Sequence, residues 1–99
     1  MLVKNHWKIV LNGLMTYKIE LTKQALKDLQ NLQSANLKNK ALKIRSILSI
    51  NPYKLPYKKL SGNLAGKYSR RINHKHRIVY EVLEKINTVK VLRMWSHYE

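Results

Sequence analysis

The chain has no cysteine among its 99 residues. That excludes a disulfide framework, a thiol nucleophile and a thiolate metal site. Acid is nearly as scarce: 5 Asp+Glu stand against 20 Lys+Arg, a formal net charge of +15. No apolar run approaches the ~20 residues that cross a bilayer. The opening MLVKNHWKIVLNGL is interrupted by Lys4 and Lys8, which argues against the apolar core of a secretory signal. Repeats and Gly/Ser/Pro linkers are missing too, so a single domain is expected. The phosphate-binding glycine loop, HExxH and GxSxG are likewise absent.

What is present is globular composition, 44% hydrophobic and 25% charged, with its charge unevenly placed. The acids are Glu20, Asp28, Glu81, Glu84 and Glu99. Residues 29–80 hold none, yet carry Lys38, Lys40, Lys43, Arg45, Lys54, Lys58, Lys59, Lys67, Arg70, Arg71, Lys75 and Arg77. Such a field attracts polyanions and speeds their association. A solvated lysine-rich face and an acidic protein partner are the competing readings, and composition does not choose among the three.

The hydrophobic pattern sets out a small α+β domain. Residues 15–21 (MTYKIEL) alternate as a half-buried strand, with Tyr17, Ile19 and Leu21 on one face. Thr22 is placed to cap a helix starting at Lys23, whose apolar stripe is Ala25, Leu26, Leu29 and Leu32. A break at residues 34–36 precedes a second helix with Leu37, Ala41, Ile44 and Leu48 on its stripe. Asn51-Pro52 ends it, because proline disfavours helical geometry in the residue before it. Pro56 keeps the next stretch extended, and residues 58–66 (KKLSGNLAG) read as loop. Strands are expected at 67–72, 76–83 and 88–97, with a turn at 84–87. In the middle strand Ile78, Tyr80 and Val82 share one face; Arg77, Val79, Glu81 and Leu83 share the other. The fold class is therefore α+β, two N-terminal helices packed on a small, mainly antiparallel twisted sheet. Residues 1–14 are either an added strand, paired through Asn12-Gly13, or an N-terminal extension before an effective start at Met15, the second being preferred.

Metal chemistry would fall to histidines. His74 and His76 alternate along a strand start without a nearby carboxylate, and are read as surface residues rather than ligands. No metal or cofactor is expected. RNA brings its own nucleophile, the 2′-hydroxyl, so its cleavage needs a base, cations for the charged phosphorane and an acid for the leaving oxygen. Arg77 on the central strand and His97 beside Tyr98 are candidates for such work. On spacing alone, a His–Tyr pair packed at the sheet edge is the simpler reading of the last two.

Several linked motifs resemble one family. Leu64 and Gly66 in a loop, residues 68–72 (YSRRI), residues 76–80 (HRIVY) and the terminal His97-Tyr98 follow the pattern of the YoeB/Txe branch of the RelE-like toxins of bacterial type II toxin–antitoxin modules. Residues 16–29 also look like that family's first strand and helix, so the resemblance spans about 15–99. It implies the RelE-like toxin fold and a ribosome-dependent endoribonuclease that cuts messenger RNA in the A site. It also implies an acidic YefM-like antitoxin as partner, homodimers, a cytoplasmic location, and no membrane. By the same resemblance Arg77 stabilises the phosphate, His97 is the general acid and Tyr98 positions the substrate. Arg70 and Arg71, with Lys59 and Lys67 beside them, are expected on the RNA backbone. One position departs: where the family has a glutamate base, this chain has Lys58, in PYKKL. A lysine acts as base only in its neutral form, which surrounding cations favour. Glu99 is the other candidate base. A catalytically weakened homologue that binds RNA and ribosomes, and mainly an acidic antitoxin, is the alternative function; a component serving protein interaction alone is the third.

Overall fold

Thr22 starts the first helix as its position predicts. Its backbone is extended (φ −69°, ψ 167°), and its hydroxyl oxygen accepts from the Ala25 N–H at 3.0 Å. The same hydroxyl donates to the Leu92 carbonyl at 3.0 Å, tying the helix start to the last strand. In this computed structural model, which describes residues 17–95, the elements run β1 (Lys18–Leu21), α1 (Lys23–Ser34), α2 (Lys38–Ile50), β2 (Lys58–Lys59), β3 (Tyr68–Arg71), β4 (Arg77–Leu83) and β5 (Thr88–Arg93). The reading of residues 1–14 lies outside the described residues.

Between the helices Asn36 takes φ 60°, a left-handed position that asparagine tolerates better than most residues. The Leu37 N–H then bonds back to the Leu32 carbonyl at 2.8 Å, and Leu37 packs against the core. α2 buries Ala41, Ile44 and Leu48 as its stripe predicts, and stops at Asn51 in extended geometry before Pro52. α1 departs from expectation. It buries Ala25, Asp28 and Leu32, while Leu26 is 52% exposed. Asp28 sits on the same face as Ala25 and Leu32 by helical spacing, and its partner lies 65 residues away in β5.

The sheet order is β1-β5-β4-β3-β2, with β1 parallel to β5 and every other pair antiparallel. Both helices pack on one face, where Ile78, Tyr80, Val89 and Val91 meet Ala25, Leu32, Ile44 and Leu48. Tyr80 is wholly buried, and its hydroxyl donates to the Pro52 carbonyl at 2.7 Å. That bond meets the requirement that a buried phenol find a partner. The opposite face, carrying Arg77, Val79 and Glu81, is left without a helix layer among the described residues.

Two local features differ from the sequence pattern, while the expected 84–87 turn is present. Lys58 and Lys59, expected in loop, form the edge strand β2; two residues are too few to show alternation. The last strand ends at Arg93, after a bulge in which Val79 pairs with Arg93 and Tyr80 with Val91, leaving Leu92 extra. The 84–87 turn is a short 3₁₀ turn, Glu84–Ile86, closed by Asn87 at φ 48°. No helix among the described residues is long and apolar enough to cross a membrane.

Candidate functional site

A cleft of about 210 Å³ opens where β2, β3 and β4 lie side by side, lined by Pro56, Tyr57, Lys58, Ser69, Arg70, Arg71 and Arg77. Strand register explains the gathering. Lys58 pairs with Ser69, Ser69 with Val79, and Arg71 with Arg77, so Lys58, Ser69, Arg71 and Arg77 share the helix-free face. Arg77 is 8% exposed and donates from Nη1 to Ser69 Oγ at 3.3 Å. Arg70 is also buried, and its guanidinium donates to the Lys54 carbonyl. Both guanidiniums are thereby held before any ligand arrives.

Burying a cation without a counter-charge is costly. Among the described residues neither Arg70, Arg71 nor Arg77 forms an ion pair, and no carboxylate lines the cleft. The acids among the described residues are engaged elsewhere. Glu20 lies 3.6 Å from Lys18, Glu81 lies 3.9 Å from Lys67, and Glu84 accepts from the Tyr17 and Tyr53 hydroxyls. Burial and then the Glu84 carboxylate push the Tyr17 phenol up to about 12, so it stays a donor. Asp28 accepts from Arg93 Nε at 2.8 Å, from the Met94 N–H at 2.9 Å and from Gln24 Nε2 at 3.1 Å. Burial pushes the Asp28 carboxyl up, but these bonds and the Arg93 charge together outweigh it and hold it below its ordinary value.

Of the residues expected at the site, Lys58, Arg70, Arg71 and Arg77 come together in this cleft. Lys59 pairs with Tyr68 at the sheet edge, turned to the other face, and Lys67 is drawn to Glu81 on the helix-free face; neither lines the cleft. His97, Tyr98 and Glu99 lie outside the described residues.

Tyr57 was not among the expected site residues, yet it lines the cleft. Its ring stands edge-on to Tyr68 at 5.3 Å, and Tyr68 in turn stacks on Tyr80 at 5.6 Å. An aromatic next to Lys58 was the available signal, but loop residues carry no periodicity that would point it inward. Ser69 was missed because it is an ordinary strand residue until Arg77 reaches it diagonally from β4.

His76 corrects the surface reading: it is 6% exposed, whereas His74 is exposed as expected. Its ring stacks on Trp95 with centroids 3.8 Å apart, and Nδ1 donates to the Trp95 carbonyl. The Asn73 side-chain oxygen accepts from the Lys75 and His76 N–H groups at 2.8 and 2.7 Å, turning the chain so that His76 points inward. No group of three potential metal ligands occurs among the described residues.

Comparisons with known proteins bear on the family and the fold. The family model for the YoeB-like toxin of bacterial type II toxin–antitoxin systems matches residues 21–98. Among solved structures, a YoeB/ParE toxin from Agrobacterium tumefaciens is 27% identical, with TM-score 0.75, and the match covers 82% of this chain and 99% of that one. A YoeB–YefM complex from Staphylococcus aureus gives 33% identity and TM-score 0.70, covering 83% and 98%. A YoeB dimer from the same organism gives 32% identity and TM-score 0.71, covering 84% and 99%. No match is found among the curated proteins.

Proposed function

Because the chain belongs to the YoeB-like toxins of bacterial type II toxin–antitoxin systems, we propose that it is a ribosome-dependent endoribonuclease that cuts messenger RNA in the A site. The observation that carries this reading is the cleft that holds Lys58, Arg70, Arg71 and Arg77 together with no carboxylate among the described residues that line it. A phosphodiester supplies the negative charge that the buried Arg70 and Arg77 guanidiniums lack among the described residues.

The reaction needs no metal in this scheme. Lys58, in its neutral form, takes the proton of the 2′-hydroxyl, whose oxygen attacks the adjacent phosphorus. Arg77, steadied by Ser69, stabilises the negative charge that builds on the phosphorane oxygens. The bond from phosphorus to the 5′ oxygen breaks, and His97 protonates that leaving oxygen. A 2′,3′-cyclic phosphate and a 5′-hydroxyl result. Tyr98 positions the substrate, while Arg70, Arg71, Lys59 and Lys67 hold the flanking backbone. The catalytic domain is residues 15–99, preceded by an N-terminal extension, and it acts in the cytoplasm. An acidic YefM-like antitoxin silences it by matching the basic field, and a homodimer is its other assembly; relatives are described as a YoeB–YefM complex and as a YoeB dimer.

Purified toxin, incubated with programmed ribosomes and messenger RNA, is expected to yield cuts within the A-site codon, mapped by primer extension. Intact messenger RNA in the presence of ribosomes overturns the reading. The exposed Lys58, standing where a carboxylate would complete the cleft, favours a second reading: a weakened nuclease that chiefly binds. Lys58→Glu separates the two. A large gain in cleavage supports the weakened toxin, and a loss supports Lys58 as the working base.

A further inference from the structure

Behind the cleft lies a second hollow of about 280 Å³, between α2 and the open edge of β3. Four cations, Lys40, Lys43, Arg70 and Arg71, surround an apolar floor that includes Ile47 and Ile72. The two hollows share Arg70, Arg71 and Pro56. They meet there because β2 covers β3 only opposite Tyr68 and Ser69, so the edge at Arg70 and Arg71 carries no neighbouring strand among the described residues.

The lysines of α2 are not placed for the helix's benefit. Its first turn holds Lys38 and Lys40 with no acidic residue, and Leu37 provides no side-chain cap. Cations at a helix N-terminus oppose its dipole. From these features we infer that the second hollow is an RNA phosphate subsite, taking the backbone phosphate of a nucleotide that flanks the reacting one. Lys40 and Lys43 bind the phosphate together with the outer side of Arg70 and Arg71. Ile47 and Ile72 accept the apolar face of the attached sugar or base. A strand leaving the cleft over the two arginines enters this hollow directly, because phosphates recur at every nucleotide. That continuity favours RNA over an acidic peptide. The inference rests on the nuclease reading for the path of the strand.

The test measures binding of a fluorescent single-stranded RNA hexamer, 2′-O-methylated so that it stays uncut, over a range of potassium chloride. The Lys40→Ala/Lys43→Ala variant is expected to bind several-fold more weakly. Its slope of log affinity against log salt should shrink by about 0.7, the increment for one phosphate on a single strand. A dinucleotide, too short to reach past the cleft, is expected to bind both proteins equally. Lys23→Ala/Lys85→Ala, with the same net charge, is the control and should keep the original slope. Lys40→Arg/Lys43→Arg should restore binding, and either single Lys→Gln variant should show part of the effect if the double variant does not fold. An unchanged slope, an equal loss in the control, or a loss seen only toward a polyglutamate peptide overturns the subsite. Because the RNA stays uncut, the two readings fail separately. Lost slope without ribosomal cleavage refutes only the nuclease, and intact cleavage with unchanged slope refutes only the subsite.

Discussion

Arginine is used in two opposite ways on this one sheet. At Arg93 the cation lies 2.8 Å from the Asp28 carboxylate, itself 1% exposed, and the pair locks α1 to the end of β5. At Arg70 and Arg77, two and one strands away, the cations are buried, and among the described residues they donate to a carbonyl and a hydroxyl. A fold that needs a buried arginine for stability gives it a counter-ion. The cleft arginines lack one among the described residues, which is the arrangement expected where the counter-ion is a ligand.

The contrast breaks first at Asp28. Asp28→Ala removes the carboxylate that accepts from Arg93 and from the Met94 N–H, and is expected to cost about 3 kcal/mol in urea unfolding, the low end for a broken buried pair because Arg93 retains some exposure. A loss below 1 kcal/mol would show that the pair does not hold the helix. At the cleft the outcome should invert: Arg77→Gln is expected to lower cleavage about a hundredfold, as removal of a transition-state donor does. Its unfolding free energy should stay close to that of the parent protein. Equal damage to stability and cleavage would make Arg77 structural.

Acid sharpens the same comparison. The Asp28 carboxyl is held below its ordinary value, so its contribution is fully present above the unfolded carboxylate range and fades as pH falls through the lower, folded value. Thermal melts from pH 7 down to pH 2 should show the parent protein losing stability that Asp28→Asn has already lost. The two curves are expected to converge at the acid end, and parallel curves would remove Asp28 from the account. The smallest effect is expected at Thr22, whose hydroxyl caps α1 and also reaches Leu92. Thr22→Ala should cost about 1 kcal/mol, with cleavage unchanged.

Much of the fold was readable along the chain because its signals are local. Thr22, the α2 stripe, Asn51-Pro52 and the alternation of Ile78, Tyr80 and Val82 each announce themselves within a few residues, and the structure agrees with each. The linked motifs from Leu64 to Tyr98 were readable for the same reason, and they identified the family before any contact was known. Where the reading failed, the decisive partner was distant. Asp28 displaces Leu26 from the buried face because Arg93 and Met94 arrive from the other end of the chain. His76 turns inward because Trp95 offers a ring and a carbonyl 19 residues on.

The sequence by itself therefore determined the order of elements apart from β2, the family and the acid-free span of cations, since composition and short-range periodicity are properties of neighbours. Which of those cations meet was decided only in three dimensions. Strand register placed Lys58, Arg71 and Arg77 on one face with Ser69 and turned Lys59 away from it. A shift of one residue in that pairing would exchange the faces and empty the cleft, because side chains alternate along a strand.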